Sequence, residues 1–213
     1  NGQVKLCVPT ALACGSCALV IVILDGLLYT INLGDCRAVL HRPKSPLQLS
    51  RDHSMKNTPE VDRIRVSEGG VIKNNRIGGG LSPTRGFGDF HYSKMGFICK
   101  PEIKVTIMAP DRSFVLMGTD GIWDHIDNEY AIQFVKFQLM IRGNKSIIDI
   151  LYDLLKVICE DAKKGNNKMD NATIACIIFV EGTSLNEIAE SFKLVNISLI
   201  FFQSKDKSLI SFI

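Results

Sequence analysis

A large charge of one sign is missing from this sequence. Lys and Arg number 25 against 22 Asp and Glu, a formal net charge of +3. That surplus is too small to point to nucleic acid or to a membrane surface. Long apolar runs are missing too. The longest, 18–24 and 194–202, fall well short of the roughly 18 residues of a membrane-spanning helix, so no membrane span is expected. An even cysteine framework is also lacking. Cys7, Cys14, Cys17, Cys36, Cys99, Cys159 and Cys176 are odd in number. Most have apolar sequence neighbours, which favours reduced thiols and an intracellular setting, cytoplasmic or nuclear. Cys14-Gly15-Ser16-Cys17 has the spacing of a redox motif but runs into a strand-like stretch, so two inert thiols are expected. No second pair of soft ligands has the spacing of a zinc site. Gly78-Gly79-Gly80 is not followed by Gly-Lys-Ser/Thr and opens no evident helix, which argues against a P-loop or a dinucleotide site. No organic cofactor is expected. There are no internal repeats and no visible signal peptide, and the first residue is Asn. The chain is therefore expected to be a fragment or to lack its natural start.

What is there reads as a soluble globular domain of mixed type. The chain has 213 residues, 46% hydrophobic and 22% charged, enough to bury a sizeable core. Two β-rich runs, 18–24 and 27–33, are joined by Asp25-Gly26, a strong hairpin signal. A third strand is expected over 37–41, then a loop marked by Pro43 and Pro46, then an exposed polar stretch over 49–53. Thr58 and Pro59 read as N-cap and first position of a short helix, with Val61, Ile64 and Arg65 on one face. A hairpin is expected to turn at Asn74-Asn75, and 103–107 alternates as a strand. Asp127 or Asn128 should cap a helix reaching about Ile141, with Ala131, Phe134 and Val135 on one face. Ile147, Leu151, Leu154 and Ile158 keep helical spacing. A polar loop is expected over 163–168, then a strand over 172–180. Ser184 and Glu187 could form a capping box. Beyond Phe192 the tail is apolar and unassigned.

Carboxylates carry the chemistry. The apolar run 114–117 reads as a buried strand that stops at Gly118, with Asp120 and Asp124 following. Asp120-Gly121 is expected to form a turn in which Gly takes positive φ. Asp170 stands at the start of another strand. If the two strands are antiparallel neighbours, both carboxylates reach one sheet edge. Asp35, on the turn after 27–33, could join them. One Asp at a turn is more often structural, but three or four at strand ends form a more specific pattern. An all-oxygen donor set suits magnesium or manganese better than zinc or copper.

The ordered motifs resemble one family, the metal-dependent protein serine/threonine phosphatases of the PPM type (type 2C). They are Gly15-Ser16-Cys17-Ala18, Asn32-Leu33-Gly34-Asp35-Cys36-Arg37-Ala38 and Leu49-Ser50-Arg51-Asp52-His53. Glu60 with Arg63-Ile64 and Gly69-Gly70, Thr84-Arg85-Gly86-Phe87-Gly88-Asp89, and Pro101-Glu102 come next. Asp120-Gly121-Ile122-Trp123-Asp124 and Asp170-Asn171-Ala172-Thr173 complete the set. The resemblance implies an α+β fold, a β-sandwich flanked by helices on both outer faces and incomplete at its N-terminus. It spans residues 1–181 as a partial phosphatase domain and leaves 182–213 as an unassigned extension. It implies two Mg2+ or Mn2+ ions sharing a bridging water that attacks phosphorus in phosphoserine or phosphothreonine of protein substrates. By match, Asp120 and Asp170 would bind the first metal. Asp35 and Asp124, with Asp120, would hold a third and weaker one.

The family's Asp-Gly-His-Gly motif, its early Glu and its phosphate-binding Arg do not occur in these residues. No catalytic side chain is therefore assigned, and His53 and His125 do not match the missing His. Arg85 is expected to form a structural ion pair with a turn acid. The chain by itself is expected to be inactive and, as an incomplete domain, to self-associate. The alternative is a catalytically dead pseudophosphatase that acts as a binding or regulatory module.

Overall fold

The computed structural model describes residues 14–108, 114–141, 146–164 and 170–179, together with the strands Ile200–Phe202 and Ile210–Ser211. Ser184 and Glu187 lie outside the described residues. Strands β1 (Gly15–Ser16), β2 (Ala18–Leu24), β3 (Leu27–Leu33), β4 (Arg37–Leu40) and β5 (Leu47–Gln48) come before helix α1 (Thr58–Arg65). Short strands β6 (Ile72–Lys73), β7 (Arg76–Ile77) and β8 (Phe87–Gly88) and a 3₁₀ helix (Phe90–Met95) lead to β9 (Glu102–Ile107). Then come β10 (Phe114–Gly118), α2 (Asp120–Trp123), α3 (Asn128–Ile141), α4 (Ile147–Lys164), β11 (Ala172–Ile178), β12 (Ile200–Phe202) and β13 (Ile210–Ser211). The chain is α+β, as expected.

Both expected hairpins form at the expected turns. β2 and β3 are neighbours in a three-stranded sheet of order β2–β3–β9. Asp25 and Gly26 between them have φ of 51° and 73°. β6 and β7 pair across Asn74 and Asn75, whose φ values are 50° and 60°. Positive φ at both central residues makes a turn whose twist matches that of the flanking strands.

The chain divides into two compact units. One comprises residues 23–29, 37–50 and 105–213. It holds a six-stranded sheet of order β13–β12–β11–β10–β4–β5, antiparallel at every pairing. β10 is central, and Phe114, Val115 and Leu116 are all buried. Burial on both faces explains why its sequence is a continuous apolar run and does not alternate. Leu116, Ile174 and Cys176 of the strands join one core with Ile132 and Val135 of α3 and Leu151, Leu154 and Ile158 of α4. The helical spacing of those α4 residues puts them on one stripe. The helix runs on through Lys164, one position past the expected loop start. Asp127 is the cap of α3: its Oδ1 accepts from the Tyr130 amide at 2.7 Å. The tail, unassigned from sequence, adds β12 beside β11, with Ala172 opposite Phe202.

The other unit comprises residues 1–22, 30–36 and 51–104. Among its described residues, Ile64, Ile77 and Phe97 form a buried apolar cluster, with Met55, Ile72, Leu81, Tyr92 and Met95 packed around them. Helix α1 begins one residue earlier than expected. Asn57 is the N-cap, because its carbonyl accepts from the amides of Glu60 and Val61 at 3.0 and 3.1 Å. Thr58 therefore already lies inside the helix. Arg65 is exposed, and the buried partner of Ile64 on this helix is the acid Glu60.

The stretch 49–53 is not the exposed polar segment expected. Leu49, Ser50 and His53 are buried, while Arg51 is exposed. The polar side chains are buried because backbone groups need them. Ser50 Oγ accepts from the Ala38 amide at 2.9 Å, and His53 Nδ1 accepts from the Gly34 amide at 3.0 Å.

Candidate metal centre

The candidate centre is built on the β10–β11 pair. In its register Gly118 faces Ile174. One residue further, the Thr119 amide donates to the Thr173 carbonyl at 3.1 Å, and Thr119 Oγ1 accepts from the Thr173 amide at 3.1 Å. Antiparallel pairing thus carries Asp120, just past the end of β10, and Asp170, just before the start of β11, to the same end of the sheet. Each carboxylate is oriented locally by the next amide. Asp120 Oδ1 accepts from Gly121 N at 2.9 Å and Asp170 Oδ1 from Asn171 N at 2.7 Å. Asp120 is half-buried and Asp170 exposed.

The Asp120-Gly121 turn differs from expectation. Asp120–Trp123 is a single helical turn, and Gly121 does not have positive φ. Glycine is required there for close approach: a Cβ at 121 would stand 2.5 Å from the Asn171 carbonyl oxygen. The lack of a side chain lets the two acidic segments touch. The buried Trp123 anchors the same turn, its indole N–H donating to the Gly118 carbonyl at 2.9 Å. The Arg37 guanidinium lies 5.2 Å from the Trp123 ring centroid and donates to Asn128 Oδ1 at 2.9 Å. Asp124 ends this turn, its amide donating to the Asp120 carbonyl at 2.9 Å, and its side chain is exposed.

Asp35 belongs to the other compact unit. It is half-buried on the turn after β3 and accepts from Cys17 Sγ at 3.4 Å. Among the described residues no three His, Cys, Asp or Glu side chains form a group that could hold a metal ion. Asp120 and Asp170 offer the carboxylate oxygens that a hard divalent ion takes as ligands.

Arg85 forms the expected ion pair, but its partner is the helix acid Glu60 and not a turn acid. Arg85 Nε donates to both Glu60 oxygens at 3.1 and 3.0 Å. Thr84 Oγ1 donates to Glu60 Oε2 at 2.7 Å, and Arg63 Nη1 lies 2.8 Å from the same oxygen. Burial pushes the Glu60 carboxyl up, and these donors more than offset it, bringing the pKa down from 4.5 to about 2. Glu60 and His53 are buried polar residues to which sequence reasoning gave no role. The available signal was their place inside ordered motifs that no catalytic role absorbed.

Among the described residues the cysteines form no metal-holding group. Cys14-Gly15-Ser16-Cys17 is extended, with Gly15 and Ser16 in β1. Burial raises the Cys176 pKa to about 12, so that thiol stays protonated.

The family described as Protein phosphatase 2C matches residues 5–167. "Probable protein phosphatase 2C 47" of Oryza sativa subsp. japonica is 33% identical over 171 residues, covering 78% of this chain and 42% of that protein. "Protein phosphatase ppm-1.G" of Caenorhabditis elegans is 30% identical over 174 residues, covering 78% and 35%. This chain thus spans less than half the length of these relatives. The solved structure of serine-threonine phosphatase 2C from Toxoplasma gondii superposes with a TM-score of 0.66 at 20% identity, covering 80% of this chain and 60% of that one. That likeness extends to the fold what the sequence matches say of descent: the chain belongs to the protein phosphatase 2C family.

Proposed function

We propose that this chain carries part of the metal site of a phosphoprotein phosphatase acting on phosphoserine and phosphothreonine. In this reading Asp120 and Asp170 bind one Mg2+ or Mn2+, and Asp35 and Asp124, with Asp120, serve a further, weaker ion. The observation that supports it is the β10–β11 register, which delivers two acids from distant sequence positions to one sheet end. A bound divalent ion supplies positive charge that offsets the phosphoryl oxygens and lowers the pKa of water. The protein's own part is positional. Gly121 and the Trp123 anchor hold the α2 turn against Asn171, and local amides orient both carboxylates. Phosphoproteins are the proposed substrates.

The test is Mn2+ binding to the 213-residue chain, followed by calorimetry. Asp120→Asn and Asp170→Asn should each weaken binding about tenfold or more, since each removes a charged ligand. Asp161→Asn, on the exposed side of α4, should not. Unchanged binding in both site variants would overturn the assignment. These residues contain no Asp-Gly-His-Gly, so phosphopeptide hydrolysis by this chain alone should be slight. Strong Mn2+-dependent turnover would refute that part.

A further inference from the structure

We propose that His53 is the positioning residue of the Gly34–Asp35 turn, acting through an unprotonated Nδ1 that accepts the Gly34 amide. The role of this turn in holding an ion rests on the assignment of Asp35 above; the role of His53 in holding the turn rests on geometry alone. His53 is completely buried. It holds both backbone polar groups of Gly34: Nδ1 accepts from the Gly34 amide at 3.0 Å, and the His53 amide donates to the Gly34 carbonyl at 3.0 Å. Asn32 Nδ2 donates to the same carbonyl at 3.0 Å and to the Arg51 carbonyl at 2.9 Å, tying the two segments together.

The turn needs that grip. Gly34 has φ of 125°, and a Cβ there would stand 2.2 Å from Cys17 Sγ. The backbone before Asp35 is thus in a conformation that the local sequence does not enforce and that its neighbours must hold.

The imidazole is suited to this task in one tautomer only. An N–H directed at Nδ1 requires a lone pair there, so the ring proton sits on Nε2. Nε2 is buried without a hydrogen-bond partner among the described residues, and the nearest carboxylate oxygen, Glu102 Oε2, lies 3.5 Å away in charge contact. Burial, and then the nearby Arg85 charge, hold the His53 pKa below 6.5 against the opposite pull of Glu60 and Glu102. The ring is therefore neutral near pH 7. The His53 carbonyl also accepts from the Thr84 amide at 2.8 Å. Thr84 in turn donates to Glu60, so a continuous hydrogen-bonded chain runs from the Gly34 turn to the Glu60–Arg85 pair.

Two near-isosteric substitutions separate the two ring nitrogens. His53→Asn places an oxygen acceptor where Nδ1 stands and nothing at Nε2. His53→Gln can place a donor near Nε2 and leaves no acceptor at Nδ1. In the 213-residue chain, His53→Gln should speed hydrogen exchange of the Gly34 amide about tenfold or more, the scale of one lost hydrogen bond. His53→Asn and Glu102→Gln should leave it within about threefold. A purely space-filling His53 would make the Asn and Gln variants alike at Gly34, and that result overturns the proposal. If His53→Gln does not fold, fast Gly34 exchange in folded His53→Asn overturns it equally. Mn2+ titration adds the functional readout. The share of Mn2+ affinity that Asp35→Asn removes should also be lost in His53→Gln and kept in His53→Asn. If Asp35→Asn removes none, the ion assignment of Asp35 falls, and the Gly34 amide alone judges His53.

Discussion

The two compact units bury different chemistry. The unit built on β4, β10 and β11 encloses side chains that are apolar almost throughout, from Phe114 and Leu116 to Leu154 and Ile158. Among its described residues, the unit that contains α1 packs Ile64, Ile77 and Phe97 into one buried apolar cluster and also buries Asn32, His53, Glu60 and Thr84. Apolar packing is spread over many small contacts, so losing one leaves the others in place. A buried polar network concentrates its stakes, because removing one member strands its partners without water.

That difference is broken most directly at Glu60. Glu60→Ala leaves Arg85, Arg63 and Thr84 without their shared acceptor, and should destabilise the chain by about 3–5 kcal/mol, the usual cost of stranding a buried charge. Leu154→Ala, in the apolar unit, should cost about 2–5 kcal/mol, depending on how far the cavity relaxes. Urea denaturation measures both. Hydrogen exchange then tells the units apart. Glu60→Ala should deprotect amides between residues 51 and 104 first, and Leu154→Ala those of β10 and β11. Equal loss of protection in both units from either substitution would show that they unfold as one.

The same contrast decides what could be read from the sequence. α3 and α4 were legible because their apolar residues repeat at helical spacing, and β10 and β11 because each is a short apolar run set off by an acid or glycine at its end. The Asp25-Gly26 and Asn74-Asn75 turns were legible because few residues tolerate positive φ at two successive positions. The segment 49–53 was misread because Ser50 and His53 look solvated until one knows which backbone amides they accept from. Gly121 was read as a turn glycine for a similar reason: its constraint is the Asn171 carbonyl, 50 residues away in sequence, and local pattern cannot show it. The same blindness applies to the candidate site. Asp120 and Asp170 were singled out by their strand-end positions, whereas Glu60 was noticed only as one residue of a motif.

Acid offers a graded way to sharpen the comparison. Glu60 has a folded pKa depressed from 4.5 to about 2. Its contribution is present in full above 4.5 and is lost as pH falls from 4.5 through about 2, amounting to about 3 kcal/mol at roughly 1.4 kcal/mol per unit. His53 is also depressed, below 6.5, mainly by burial. A neutral base of this kind favours the folded state fully above 6.5 and progressively less as pH falls below it. Unfolding free energy should therefore decline in two stages on acidification, with the α1-containing unit losing exchange protection first. Glu60→Gln should flatten the lower stage and, because the Glu60 charge raises the His53 pKa, carry the upper one to lower pH. A profile unchanged by Glu60→Gln would remove the carboxylate network as the cause.

The smallest effect tests the helix starts, where the units differ again. Asp127 Oδ1 accepts from the Tyr130 amide at the start of α3, satisfying one of the amides that a helix start leaves without an internal partner. Its negative charge also lies at the positive end of the helix. Asp127→Ala should thus cost about 1 kcal/mol, the usual loss for such a cap. Asn57, at the start of α1, makes no side-chain cap bond and instead donates from Nδ2 to the Asp52 carbonyl at 3.2 Å. Asn57→Ala leaves the α1 amides as they were, so the shift in its urea midpoint should be the smaller of the two. Equal shifts would mean that the Asp52 link, and not helix capping, governs how α1 begins. Stability at this helix start would then come from the same side-chain-to-backbone bonding that buries Ser50 and His53.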